Sequence, residues 1–531
     1  MSCVNMEQKE RHAVCGNGIV LKMEDYMSKT LEEFEQYLDK MKKYEHINTL
    51  LYWDMKTCAP KLGQAGHIDA LTYFSTESFA MSTSDELYGM LEKLKKPEEF
   101  EQLSDKMKFI VTRMQRDMEK DRRIPKDRYE VMVREQAESG NAWEDAKNAS
   151  DFSIFAPHLE KMIALTREMA GYTDPGKEVY DVLLDKYEEG MDSATIDRLF
   201  GELKEALIPL VKKILAAKQP DDTKFHAYFD PDDQRKVQDL LLSYIGFSKD
   251  AGSVGETEHP FTLNFSSKDV RVTNHYYEHD PISAMFSAIH EGGHAIFEQN
   301  VNPEYDNTVA GSCHYMGVHE SQSRFYENIL GRNKNFWIPV YGKVQELMPQ
   351  MKEISLDEFY HEINHVRNSF IRTEADEVTY CFHIILRYEM EKAIFRENIP
   401  VENLPELWNQ KMKEYLDITP ANDAEGILQD MHWSDGSFGY FPSYLLGSIY
   451  DGMYLEELEK ELGPVDEILK DGRILQITKW LNKKIHWYGS TRTPKEVIAN
   501  VCGKEVSAEP LVRYFEKKYA DIYNLDHLME K

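Results

Sequence analysis

The chain has 531 residues, 42% of them hydrophobic and 29% charged, and carries a formal net charge of −30 at pH 7. So acidic a balance excludes a nucleic-acid footprint, which needs a basic face, and it disfavours an anionic membrane surface. No apolar run approaches the length of a membrane span, and a chain of this size can bury a large core without disulfides.

The first residues, MSCVNMEQKERHAVCGNG, put charges where a secretion signal needs an apolar core. The six cysteines, Cys3, Cys15, Cys58, Cys313, Cys381 and Cys502, are scattered and form no C-x-x-C pair. Reduced thiols in a cytoplasm are the expectation. Helical periodicity then dominates. TLEEFEQYLDKMKKYEHINTLLYW sets Leu31, Phe34, Leu38, Met41 and Leu51 on one face, and amphipathic stretches follow at 86–120, 157–171, 194–218 and 231–246. Further stretches at 317–331, 356–397, 404–416 and 475–483 complete a mostly α body with no repeat and no low-complexity tract.

One segment departs from this pattern. From His259 to Tyr277, HPFTLNFSSKDVRVTNHYY alternates and is rich in Phe, Thr and Val, with a turn signal at SSKD, so it reads as a β-hairpin. Its edge strand is suited to hold another extended backbone by strand addition.

Directly after the hairpin comes PISAMFSAIHEGGHAIFEQN, residues 281–300. Asp280 and Pro281 form a helix start, an N-cap acceptor followed by a pre-set φ. Ile282, Met285, Phe286, Ile289, Ile296 and Phe297 then recur at helical spacing. On such a helix His290 and His294 leave the same side one turn apart, where a single Zn²⁺ accepts both imidazoles. Glu291, adjacent but angled away, is placed to act as a base on water rather than as a ligand. Gly292 and Gly293 each cost a helix about 1 kcal/mol relative to Ala, which suggests that something approaches this helix closely.

A catalytic zinc needs a third protein ligand. The extended pattern H-E-x-x-H-x-x-G-x-x-H fails, because Phe297 and Asn300 stand at its Gly and third His positions. SCHYMGVHESQSRFYENIL offers His314, His319, Glu320 and Glu327 on the next helical stretch, and spacing alone does not choose among them.

Six ordered strings bear on that choice: HPF at 259–261, DVRVT at 269–273, HEGGH at 290–294, HESQS at 319–323, IRTEAD at 371–376 and GILQDMHW at 426–433. Together they resemble the motif series of the carboxypeptidase Taq family of metallocarboxypeptidases, and the helical N-terminal half with LLYWDMKT at 50–57 is similar in character. The resemblance implies a large helical zinc-peptidase fold with a small β element beside the active-site helix. It implies one unit over 23–531 with its catalytic motifs at 259–445, preceded by an extension over 1–22. It puts the third ligand at Glu320 beside His290 and His294, with Zn²⁺ as the ion and Co²⁺ as the alternative, and it implies a homodimer.

The expected reaction is release of single C-terminal residues from peptides by a zinc-activated water, with Glu291 moving the proton. DMHWSDGSFGYFPSYLLG, at 430–447, supplies His432, Tyr440 and Tyr444 as candidates to stabilise the oxyanion. By spacing, Arg372 sits inside the 356–397 helix, i, i+4 from Asp376, as a surface pair would. The resemblance instead assigns it to the substrate's terminal carboxylate. Arg271, which could equally fix the hairpin to Asp269 or Asp430, and His259 are the further substrate-binding candidates. A helical oligopeptidase with the same zinc apparatus, or an inactive helical scaffold, are the alternatives; no metal ligand or base is missing, which speaks against the second.

Overall fold

The computed structural model describes residues 28–525 apart from positions 307 and 312, so the extension expected over 1–22 lies outside it. The first helix, Lys29–Thr57, begins where the Ser28 side chain accepts from the Leu31 N–H at 3.2 Å. Its apolar face buries Phe34 and Leu38 against the helices Asp85–Leu94 and Asp105–Asp121 to form a satellite core. The stretch expected as one helix over 86–120 is therefore broken. Pro97 starts a short separate turn, and Ser104 caps a new helix through the Met107 N–H.

The main core is a packing of long helices, chiefly Phe152–Thr173, Ser193–Ala216, Pro231–Ile245, Pro281–Gln299, Thr379–Phe395, Phe441–Leu462 and Glu509–Ile522. The expected helices near 404–416 and 475–483 form as Leu404–Leu416 and Ile474–Lys484. No helix among the described residues is long and apolar enough to cross a membrane.

The β element is a three-stranded sheet ordered β1-β3-β2, with β1 Gly252–Glu256, β2 Thr262–Ser266 and β3 Asp269–Asn274. β2 and β3 are the antiparallel hairpin, and a register shift lies between Asn264 and Ser266. β1 runs parallel to β3 and was not foreseen, since two glycines in GSVGE weaken any strand signal. Val270 and Val272 of β3 are buried in the main core, whereas Arg271 lies over the rings of Phe265 and Trp53.

The stretch 356–397 is not one helix. Leu356–Glu362 ends early, residues 363–371 are irregular, Arg372–Glu374 is a 3₁₀ turn, and a helix resumes at Thr379–Phe395. Asp376 starts the resumed helix. One of its carboxylate oxygens accepts the Val378 and Thr379 N–H groups at 3.0 Å each, and the other accepts the Thr379 hydroxyl at 2.6 Å and the Arg367 N–H at 3.2 Å. A side chain spent on backbone donors starts a helix better than it continues one.

Candidate metal centre

The helix Pro281–Gln299 starts as its sequence predicts, with Asp280 accepting the Ser283 N–H at 3.1 Å and Pro281 at its first position. His290 and His294 lie one turn apart, their ring centroids 5.0 Å from each other. The helix Met316–Arg324 crosses it and brings up Glu320, whose Oε2 is 3.6 Å from His294 Nε2. One donor atom from each of His290, His294 and Glu320 falls within 4.8 Å of the others.

Glycines make this approach feasible. A Cβ on Gly293 would stand 2.7 Å from the Gln322 carbonyl oxygen and 2.8 Å from Ser323 Cα. On the third helix, Phe441–Leu462, a Cβ on Gly447 would meet Glu320 Cβ at 3.1 Å. The helices that carry Gly293 and Gly447 therefore both pack closely on the backbone of the Glu320 helix.

Of the four downstream candidates for third ligand, two form a second layer instead. Glu327 Oε2 is 2.8 Å from His290 Nδ1, and Arg332 Nη2 lies 3.4 Å from its other oxygen. Glu327 is carried on a π turn, Phe325–Gly331, that follows the Glu320 helix. His294 Nδ1 is 2.6 Å from His319 Nδ1, and His319 Nε2 is 2.8 Å from Glu298 Oε1, which Asn264 braces through the other carboxylate oxygen. With His294 Nε2 as the ligand atom, its Nδ1–H donates to His319, whose Nε2–H donates to Glu298; carboxylate-terminated relays of this kind fix a ligand's tautomer and ring orientation. His314 is turned away, Nε2 lying 3.2 Å from the Val309 carbonyl. Two imidazoles and one carboxylate are a donor set that can hold a divalent metal, and the 3.6 Å edge suits metal bonds of about 2.0–2.2 Å.

Glu291 is buried beside the triad, and Oε2 accepts the Thr262 hydroxyl from β2 at 2.6 Å. Burial raises its pKa, opposed by the neighbouring His290 and by that hydroxyl. Glu327 goes the other way: burial raises it, but the hydrogen bond and charge of His290 and the Arg332 and Arg324 guanidiniums hold it down to about 2. Glu320 itself is aligned by Arg324, whose Nε donates to Oε1 at 2.6 Å.

Tyr440 and Tyr444 stand at the start of the Gly447 helix, ring centroids 4.9 Å apart, with Tyr440 also stacked on Tyr187 at 5.0 Å. Burial pushes the Tyr440 phenol up to about 12, with the Glu320 carboxylate adding to it. His432 Nε2 is 3.1 Å from the Tyr444 hydroxyl, and burial lowers this imidazole to about 4, so it is neutral at pH 7.

Arg372 is a buried group, 9% exposed, rather than half of a surface pair, and its partner is Asp430 rather than Asp376. Its Nε and Nη2 reach Asp430 Oδ1 at 3.0 and 2.9 Å, Nη1 reaches the Tyr380 hydroxyl at 3.1 Å, and its guanidinium lies 5.0 Å from the Tyr444 ring centre. Arg387 holds the other Asp430 oxygen. Two guanidiniums share one carboxylate, and the nearby His383 is kept neutral, lowered to about 3 by burial and by both arginines.

Of the remaining two candidates, Arg271 is committed elsewhere and His259 is exposed. Arg271 forms a two-point pair with Asp269, which fastens the hairpin. His259 is exposed, and its carbonyl accepts the Thr257 hydroxyl at 2.9 Å. A second H-E-x-x-H string, HEINH at 361–365, escaped the sequence reading. Its helix stops at Glu362, and His361 is exposed with Nδ1 on the Asp357 carbonyl, so it does not reproduce the two-histidine face.

The model of the carboxypeptidase Taq (M32) metallopeptidases matches residues 33–519. Carboxypeptidase 1 of Bacillus subtilis is 42% identical over 496 residues, 93% of this chain and 99% of that one. Thermostable carboxypeptidase 1 of Thermus thermophilus is 36% identical over 488 residues, 90% of this chain and 96% of that one. The crystal structure of the M32 carboxypeptidase from Deinococcus radiodurans superposes with a TM-score of 0.90 at 28% identity, over 94% of this chain and 100% of that one.

Proposed function

The chain belongs to the carboxypeptidase Taq (M32) family of metallopeptidases, and from that premise we propose which of its residues carry the removal of C-terminal amino acids from peptides. It is a metallocarboxypeptidase. His290, His294 and Glu320 hold the ion, Zn²⁺ by donor type and Co²⁺ as the alternative occupant. When bound, the ion supplies Lewis acidity toward water and the scissile carbonyl.

The protein's own groups do the rest. Glu291 Oε2 takes the proton from the attacking water and returns it to the leaving amine; its burial and raised pKa support that use. The Thr262 hydroxyl keeps this carboxylate oriented between exchanges. Tyr440 and Tyr444 are the candidate donors to the oxyanion, and neutral His432 steadies the Tyr444 hydroxyl. His259 and Arg271 act at most on the outer reach of the substrate, since Arg271 is committed to Asp269.

The observation that carries the exopeptidase reading is the charge around Arg372. Arg372 and Arg387 bring two positive charges to a buried place where Asp430 supplies one negative, beside Tyr444. A substrate's terminal carboxylate balances the remainder, and an internal peptide bond does not. Losing such a charge-assisted pair costs about 2–5 kcal/mol, which is roughly thirty- to several-thousand-fold in kcat/KM at about 1.36 kcal/mol per decade. Amidating the C-terminus of a peptide is expected to slow its cleavage by that factor, and Arg372→Ala to erase most of the difference. Equal cleavage of free and amidated peptides with internal fragments as products would reject the assignment in favour of a helical oligopeptidase.

Residues 23–531 act as one catalytic unit, a reading supported by the family match over 33–519. The site of action is the cytoplasm, consistent with four described cysteines that are all free thiols. The active form is a homodimer, as the resemblance implies; a sedimentation mass equal to a single chain would reject it.

A further inference from the structure

The HEINH string at 361–365 fails as a second catalytic motif, yet its residues are not idle. Past the end of the helix Leu356–Glu362 the chain turns, and His365 Nδ1 comes to 3.6 Å from Glu362 Oε2. Asp222, from the connection between the helices Ser193–Ala216 and Pro231–Ile245, completes a group in which one donor atom of each residue lies within 4.8 Å of the others. The Glu362 side chain is only 7% exposed. Its Oε2 and His365 Nδ1 are both buried, and neither has a hydrogen-bond partner.

Two complementary buried atoms facing each other at 3.6 Å are too far apart for a hydrogen bond. The same separation is the edge of a tetrahedron whose centre lies about 2.0–2.2 Å from each corner. It is also the His294 Nε2 to Glu320 Oε2 distance in the catalytic triad of this molecule. His226 Nε2 lies 3.5 Å from Asp222 Oδ2, on an exposed side chain outside this group of three. The Arg367 guanidinium flanks the group, 2.9 Å from Glu362 Oε1 and 3.5 Å from Asp222 Oδ2, but its side chain is half exposed and leaves Glu362 Oε2 uncovered.

We propose that Asp222, Glu362 and His365 bind a second divalent cation of the zinc class, separate from the catalytic one. The nitrogen and carboxylate donors select such an ion over Mg²⁺ or Ca²⁺, which prefer all-oxygen sets. Its three ligands come from two separate segments of the chain, so the ion's role is structural. It clips the 217–230 connection to the end of the 356–362 helix. The next residues after that helix hold Arg332, through the Ile363 carbonyl and the Asn364 side chain, and Arg332 in turn lies on Glu327.

The test is zinc stoichiometry on the full chain, loaded with Zn²⁺, gel-filtered and measured by elemental analysis. Two ions per chain are expected for the parent and one for His365→Ala, with kcat/KM of that variant within about twofold of the parent. Asp222→Asn, a substitution in a surface connection, gives the same loss if His365→Ala folds poorly. His294→Ala, which disables the catalytic site, is expected to keep one ion and to gain thermal stability on adding Zn²⁺. The double variant His294→Ala, His365→Ala loses both properties. One ion in the parent, or two in both His365→Ala and Asp222→Asn, overturns the proposal whatever becomes of the catalytic assignment.

Discussion

Glu291 and Glu327 lie on either side of the metal-binding candidates, and the proposed reaction gives them opposite duties. Glu327 lies on the Nδ1 face of His290, its charge fixed by two arginines, while Glu291 is buried with only the Thr262 hydroxyl on its carboxylate. Glu291→Gln is therefore expected to keep bound metal and to lose about 10²–10⁴-fold in kcat, the worth of a positioned proton-transfer group. Glu327→Gln is expected to weaken metal affinity by about 10–100-fold, as loss of an outer partner of a ligand histidine does. Measured zinc content alongside turnover separates the two; a Glu291→Gln protein that loses its zinc would make Glu291 a ligand or a structural group. Glu291 was legible because adjacency in H-E-x-x-H dictates its place. Glu327 and His319 were only names among four, since linear spacing does not distinguish a ligand from the residue behind a ligand. The π turn at Phe325–Gly331 also lies beyond what helical periodicity predicts.

At the level of elements, the paired glycines of HEGGH explain what the helix tolerates. Propensity alone says that Ala at either position stabilises this helix by about 1 kcal/mol. Packing overrides that at Gly293, where the added carbon meets the backbone of Gln322 and Ser323, which cannot rotate away. Gly293→Ala is expected to force the His294 and Glu320 helices apart, lowering stability by about 1–3 kcal/mol and metal affinity with it. At Gly292 the nearest atoms are the tips of Ile245 and Leu242, 2.6 and 2.9 Å away, which can shift. Gly292→Ala is expected to leave metal content unchanged, and equal metal loss in both variants would refute the packing account. The same contrast governs what the sequence disclosed about elements. The hairpin and the HEGGH helix have local signatures, alternation in one and a cap with a 3.6-residue stripe in the other, and both form. After the break that begins at Glu362, the chain restarts its helix on one carboxylate, Asp376, folded onto the backbone, and no periodicity registers it. That break takes Arg372 off a helix surface and puts it in contact with Asp430.

Across the whole molecule, buried carboxylates outside the motifs tie the site to its surroundings. Glu188 accepts the Gly317 N–H at the start of the Glu320 helix. Glu391 accepts Trp433 Nε1 at 3.0 Å with one oxygen, and the Tyr180 hydroxyl at 2.8 Å and the Gly439 N–H at 3.0 Å with the other, so it holds the loop that follows His432 at two points. The N-terminal half thus braces a site whose motifs all lie after residue 259, and a lone buried glutamate has no pattern by which sequence could reveal this. The brace has a measurable sign. Burial raises Glu391 to about 7 against its hydrogen bonds to Trp433, Tyr180 and Gly439, from an ordinary value of 4.5. Between those two values the folded chain binds the proton that the unfolded chain has released, so this group's contribution to stability falls as pH rises. Buried histidines act oppositely: His486, lowered to about 3 by burial, leaves the unfolded chain as the proton binder up to its ordinary value of 6.5, so stability rises with pH in that range. The two trends offset each other in the parent between pH 4.5 and 6.5, which is why the comparison must be made against a variant. Glu391→Gln removes only the falling component, and with metal in excess in both proteins the ion's own pH dependence cancels. The stability of the variant relative to the parent, from urea unfolding, is expected to rise by about 2–3 kcal/mol between about pH 5 and 7.5, since each tenfold difference in proton affinity between folded and unfolded chain is worth about 1.36 kcal/mol. A difference that stays flat across that range would mean that Glu391 is ionised in the folded chain throughout, its three donors outweighing its burial.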